Sequence, residues 1–266
     1  MNPVAITGLI VAAIRAEESK RSDRLFEDPF ATVLAGEDGR RALAKYREAA
    51  GLSVPIIEVR TRYFDEGLTR VVNAGIRQVV ILAAGMDARA HRLVWPSGTR
   101  VFELDQPEVL AHKAEVLASV KPSCDRVVIP VNLEHDWTEP LRASSFDPAR
   151  PTAWLVEGLL QYLEEPSVRT LFARIEALSG SGSVVFYDAV GRALLHAPQV
   201  ASTLAVMKEL GAPWVFATDD PGSLLSKGWA VTLDDPAELG RQWTRWPLPA
   251  VPGMPPLGHL IEARKA

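Results

Sequence analysis

The chain is poor in the residues that build metal centres and covalent staples. Its 266 residues include one cysteine, Cys124, and five scattered histidines. An internal disulfide is therefore excluded, and no cluster has zinc-ligand spacing. Basic runs are missing too: 29 Lys and Arg stand against 33 Asp and Glu, a formal charge of −4, which argues against a protein that tracks nucleic-acid phosphates. The apolar N-terminal stretch Val4 to Ile14 is too short to span a bilayer, lacks a preceding positive charge and runs into Arg15, Glu17, Glu18, Lys20 and Arg21. It reads as a buried amphipathic helix, not as a signal or an anchor. No membrane partner is expected, and a reducing cytoplasm is the natural setting. Also missing is the G-x-G-x-x-G fingerprint of dinucleotide enzymes: after Gly85 the chain reads Met86, Asp87, Ala88, Arg89.

What is present suits an ordinary enzyme of one large domain: 47% apolar residues, 23% charged and a mean hydropathy of +0.04. The most informative stretch is Gln78 to Leu93, QVVILAAGMDARAHRL, followed by VFELDQP from Val101 to Pro107. An apolar run ending at a glycine, with an acid at the end of the next apolar run, is how an α/β protein builds a nucleoside-cofactor site. Gly85 lets the backbone approach a ligand, and Asp105 can accept from ribose hydroxyls. Asp105 could equally cap the helix that starts at Pro107.

Up to about Asn73 the pattern is helical, with breaks at Asp28-Pro29 and from Gly51 to Pro55. Strands are then predicted at Gln78 to Leu82, Arg100 to Leu104, Arg126 to Val131, Ala153 to Val156, Ser183 to Tyr187, Trp229 to Leu233 and Leu257 to Ala263. Helices are predicted between them, from Pro107 to Val120 and after Pro166. This alternation means a mostly parallel sheet with helices on both faces and a ligand crevice beyond the strands' carboxyl ends. The expected organisation is a helical extension over 1–75, a cofactor-binding core over 76–189, a substrate lid over 190–228 and terminal strands over 229–266.

Four motifs in order, RTRYFD (Arg60 to Asp65), LAAGMDARAHRL (Leu82 to Leu93), FELDQP (Phe102 to Pro107) and WLVEGLLQYL (Trp154 to Leu163), resemble the leucine carboxyl methyltransferase family. The opening AAIRAEESKRSDRLFEDPFA is similar to its bacterial branch, which includes O-methyltransferases of polyketide and peptide pathways. The resemblance runs from about Val4 to Asp188. It implies an α/β, class I methyltransferase fold, a Rossmann-like seven-stranded sheet with its last strand antiparallel, and S-adenosyl-L-methionine as cofactor.

By the same resemblance, Gly85 sits under the methionine part and Asp105 holds the ribose, with Ala83 and Gln106 also counted among the cofactor-binding residues. Asn132 and Leu133 flank adenine, Arg62 pairs with the cofactor carboxylate and Glu157 faces its ammonium group. Arg62 has a plainer alternative, a surface ion pair with Asp65 or Glu66 on its own helix. For Glu157 the alternative is a helix N-terminal charge. Two positions depart from the family pattern: Ala83 replaces a glycine, and Asn132 replaces an aspartate, which predicts weaker adenine binding.

A carboxylate acceptor, already ionised, needs positioning but no base, whereas a phenol benefits from one. No dedicated base is legible; His196, Tyr187 and Asp188 are the candidates. Carboxylate O-methylation of a small molecule or peptide, within secondary metabolism, is therefore expected first. A phenolic or other hydroxyl acceptor comes second, and a non-catalytic cofactor-binding role third. Trp214, Phe216, Trp229, Trp243 and Trp246 are candidates for lining an acceptor pocket or for packing a terminal subdomain.

Overall fold

A computed structural model describes residues 3–50, 54–250 and 256–266. The expected break at Gly51 to Ser53 lies outside the described residues. Three helices come first: α1 (Pro3–Glu18), α2 (Ala31–Ala50), kinked at Gly36, and α3 (Ile56–Asn73). The strands are β1 (Gln78–Leu82), β2 (Arg100–Asp105), β3 (Asp125–Pro130), β4 (Thr152–Val156), β5 (Val184–Val190), β6 (Trp229–Asp234) and β7 (Gly258–Lys265). Between them lie α4 (Arg89–Arg92), α5 (Pro107–Val116), α6 (Thr138–Ala143), α7 (Glu165–Ala177), α8 (Arg192–Leu195), α9 (Ala201–Glu209) and α10 (Pro236–Gln242).

The strands form one seven-stranded sheet in the order β3-β2-β1-β4-β5-β7-β6. The first five are parallel, and β7 is inserted antiparallel between β5 and β6. Both β1 and β4 are buried along their whole length, so their sequences, QVVIL and TAWLV, run almost continuously apolar. Successive residues feed opposite faces. Val80, Phe102, Trp154 and Tyr187 pack toward α7, while Val79, Ile81, Leu155 and Phe186 pack toward α3.

Helix α1 is apolar on more than one side for a physical reason. Leu9, Ala12 and Ala13 pack with Leu34 and Leu43 of α2, while Ile10, Val11 and Ile14 form part of a cavity wall. No helix among the described residues is long and apolar enough to cross a membrane.

Candidate active site

The parallel strands end at one edge of the sheet, and a cavity of about 980 Å³ opens there. Its floor is polar. The chain leaves β1 through Ala83 and Gly85, with φ of 54° and 40°. A residue with a Cβ adopts such values at a cost, so Ala83 holds its turn under strain that glycine would not feel. The Gly85 N–H donates to Asp105 Oδ2 at 2.6 Å, and the Gln106 N–H donates to Oδ1 at 2.6 Å. Burial still pushes the Asp105 carboxyl above its ordinary range, against the pull of those two N–H groups. From below, the fully buried Lys113 donates to the Asp87 carbonyl at 3.0 Å and pairs with Glu103 at 2.8 Å, tying the turn to α5 and β2.

An ion-pair network runs beneath the cavity. Arg60 donates through Nε to Glu157 at 3.0 Å and through Nη1 to Asp188 at 3.0 Å. The other Glu157 oxygen accepts from Arg89 at 2.7 Å, and Arg89 also binds Asp65 and Asp87. Arg92 continues the series to Asp65 at 2.6 Å and lies 3.8 Å from Asp28, which meets Arg15 at 3.0 Å.

The carboxyls respond differently because their partners differ. Burial raises each of them, but the paired arginines Arg89 and Arg60 hold Glu157 below the usual range. Arg89, with Lys113 and Arg15, brings Asp87 down to about 2 despite burial. Asp188, with one arginine and the Gly158 N–H at 2.6 Å, stays raised by burial. At Gly158, φ is 65°, and a Cβ there would come within 3.1 Å of the Arg60 guanidinium. Glycine suits this position on both counts, since it adopts the positive φ without strain and leaves the guanidinium undisturbed.

The structure brings Ala83, Gly85, Asp105, Gln106, Asn132, Leu133 and Glu157 to this cavity. Arg62 is not with them. It sits on the outer side of α3, paired with Glu66 at 2.7 Å and stacked 4.3 Å from the Trp243 ring. The reason is helical phase: the buried stripe of α3 runs through Arg60, Phe64, Leu68 and Val71, and a residue two positions after Arg60 lies about 200° away. Arg60 is thus the arginine of the motif that faces the cavity. Its four-residue spacing from Phe64 was the available signal.

Tyr187 is displaced as a base as well. It is fully buried on the α7 side, donates to the Pro221 carbonyl at 2.9 Å, and burial pushes its phenol further up. His196 follows α8 outside the cavity lining, whereas Asp188 lines it. Of the late aromatics, Trp214 and Trp246 line the cavity. Phe216 and Trp229 belong to the core, and Trp243 lies under Arg62.

Away from the polar floor the walls are apolar. Ile14 of α1, Ile57 of α3, Leu204 and Met207 of α9, Trp214 and Leu248 are among the residues that form them. The 190–228 segment therefore contributes a wall above the crevice.

This sheet order, with an antiparallel last strand and a cavity at the strands' carboxyl edge, defines the class I fold of S-adenosylmethionine-dependent methyltransferases. The same architecture recurs in a Thermobifida fusca protein described as a "putative methyltransferase" (TM-score 0.63, 19% identity, 92% of this chain and 94% of that one). It recurs also in a DUF574 family protein from Streptomyces avermitilis (TM-score 0.62, 13% identity, 92% and 97%).

Within that class, the chain belongs to the leucine carboxyl methyltransferase family, whose model matches residues 8–176. It is 39% identical to a Saccharopolyspora erythraea protein over 91% of this chain and 88% of that one. Identity to a Mycobacteroides abscessus protein is likewise 39%, over 90% and 89%. Both relatives carry the name "Putative S-adenosyl-L-methionine-dependent methyltransferase". The chain is an S-adenosylmethionine-dependent methyltransferase, and its cofactor is S-adenosyl-L-methionine.

The floor fits that cofactor chemically. Asp105 keeps lone pairs for a ribose diol. Glu157 is a fixed anion for an ammonium group, and Arg60 Nη2 makes no hydrogen bond among the described residues.

Proposed function

We propose that this chain methylates an oxygen of a predominantly apolar small molecule, with a hydroxyl as the acceptor group. The observation that carries the reading is the division of one cavity into an ionic floor and an apolar upper chamber. When bound, S-adenosylmethionine supplies a methyl group activated by a sulfonium. The chain's own part is alignment and exclusion of water. Asp105 and the Gly85 turn hold the ribose, while Asn132 and Leu133 flank the adenine. Arg60 and Glu157 fix the two charges of the methionine tail. The wall formed by α1, α9 and the 190–228 segment encloses the acceptor, and its movement would be that of a lid.

Charge accounting favours a neutral acceptor. The arginines in the lining are each engaged by a carboxylate: Arg15 by Asp28, Arg60 by Glu157 and Asp188, and Arg241 by Glu238. Asp87, Asp105, Glu134, Glu157, Asp188 and Asp235 also line the cavity, so an acceptor carboxylate would enter an acidic environment.

Carboxylate methylation is the second reading, favoured by the description of the family to which the chain belongs. The test is transfer of label from methyl-labelled S-adenosylmethionine to matched 4-alkylphenols and alkanoic acids of increasing chain length. Label in the phenols, with kcat/KM rising about threefold or more per added CH₂, is expected. Label confined to the alkanoates would transfer the reading to carboxyl methylation. Cofactor binding without transfer to either series would support a non-catalytic role.

A further inference from the structure

The antiparallel insertion of β7 has a chemical result. A strand running against its neighbours starts where they end, so the first residues of β7 lie at the cavity edge of the sheet. In the β5–β7 register His259 stands opposite Ala189, and its neighbour Leu260 stands opposite Asp188, the partner of Arg60. His259 is half-buried and lines the cavity, and its side chain has no hydrogen-bond or ionic partner among the described residues.

Four of the other carboxylates of the lining are engaged at both oxygens, and the remaining two, Asp235 and Glu134, at one. Asp87 and Glu157 are held by Arg89, Asp188 by Arg60 and Gly158, and Asp105 by two backbone N–H groups. Asp235 Oδ1 caps α10 by accepting from the Ala237 N–H at 2.8 Å. Glu134 accepts a hydrogen bond from Asn132 at the adenine end of the floor.

We propose that His259 is the general base of the reaction, taking the proton of an acceptor hydroxyl in the chamber above β5 and β7. The inference rests on the hydroxyl reading of the acceptor. A neutral imidazole presents one ring nitrogen as an acceptor, and in His259 no protein group occupies it among the described residues, so it is open to a phenol proton. As the acceptor oxygen forms its bond to the methyl carbon, the carbon–sulfur bond breaks and its electron pair passes to the sulfur. The hydroxyl proton goes to the free ring nitrogen of His259, and from there to solvent. No oxidant, reductant or metal enters this balance.

The test compares His259→Gln and His259→Asn with the unaltered protein on two probe acceptors. One is 4-propylphenol, whose hydroxyl is protonated near neutral pH; the other is 4-nitrophenol at mildly alkaline pH, where it is largely ionised. Loss of kcat by roughly 10²-fold or more with 4-propylphenol, and by less than about threefold with 4-nitrophenol, is expected, because an ionised acceptor needs no base. Calorimetric affinity for S-adenosylmethionine should stay within about threefold of the unaltered value, which also shows that the variants are folded.

A second readout needs no variant at His259. With S-adenosylhomocysteine bound, histidine-labelled protein should show a shift of the His259 imidazole resonance when 4-propylphenol is added. Assignment comes from His→Gln replacements of the other four histidines. An equal loss with both phenols would mean that His259 only shapes the chamber. An unmoved imidazole signal would place it out of reach of the acceptor; either result overturns the proposal. Transfer to alkanoates but to neither phenol also overturns it, by removing the hydroxyl reading itself.

Discussion

Replacing Arg60 and Arg62 separately by methionine separates two arginines that differ by two positions in sequence and by half a turn in space. Arg60→Met leaves Glu157 with Arg89 alone and Asp188 with only the Gly158 N–H. Breaking a buried ion pair costs about 3–5 kcal/mol. The lower end applies, because Glu157 keeps one guanidinium and Asp188, already raised by burial, can take up a proton. At about 3 kcal/mol, Tm should fall by roughly 6–12 °C for a domain of this size.

Arg62→Met removes an i,i+4 pair with Glu66 and a cation–π contact with Trp243. Together these amount to about 1 kcal/mol, or roughly 2–4 °C. The affinities should separate more widely. A lost charge-assisted hydrogen bond to the cofactor carboxylate, at about 1.5–3 kcal/mol, weakens binding by roughly 10- to 150-fold. Titration calorimetry with S-adenosylmethionine, run well below both melting points, should show that loss for Arg60→Met and a change under about threefold for Arg62→Met. The reverse ranking would return the carboxylate clamp to Arg62 and refute the assignment built on helical phase.

Three further outcomes follow from the same geometry. Asp87 is held at about 2 against an ordinary 3.8, so its contribution of roughly 2 kcal/mol is complete above pH ~4 and is lost as pH falls toward 2. The stability gap between the unaltered protein and Asp87→Asn, measured in urea, should shrink over that interval; a gap that is constant or widens would contradict it. Ala83→Gly should relieve the positive φ at the glycine turn and gain about 0.5–1 kcal/mol after the entropy of the unfolded chain is counted, read as a small rise in Tm. Asn132→Asp should tighten S-adenosylmethionine binding, and more so with Glu134→Gln beside it. The Glu134 carboxylate lies 3.4 Å from the Asn132 amide and would repel a second carboxylate there.

Much of the fold was readable because its signals are local. The seven strands fell within a few residues of their predicted ends, since β1 and β4 are buried on both faces and must be apolar throughout. The glycine turn, Asp105 and Glu157 were readable for a related reason. Each lies at or just past the end of an apolar strand, and the ends of parallel strands gather at one edge. Where reading stopped, several elements contribute to one result. The choice of Arg60 over Arg62 depended on which side of α3 faces the sheet. The ion-pair network depended on α1, α3, α4, β4 and β5 meeting beneath the cavity. The spacing of Arg60 from Phe64 bears on the first only once the buried side of α3 is known, and no local spacing carries the second.

The sequence by itself determined the order of the strands and of the longer helices and, through its resemblance to a known family, the cofactor class and most of the residues at the cavity floor. Hydrophobic period and motif spacing act within a few residues, and the fold follows from them. Only the tertiary structure decided which arginine faces the cavity and which carboxyls are held ionised. It also buried Tyr187 away from the cavity and brought His259, near the end of the chain, to its edge. Those outcomes depend on strand direction and on burial against distant partners, and both exist only once the sheet has formed.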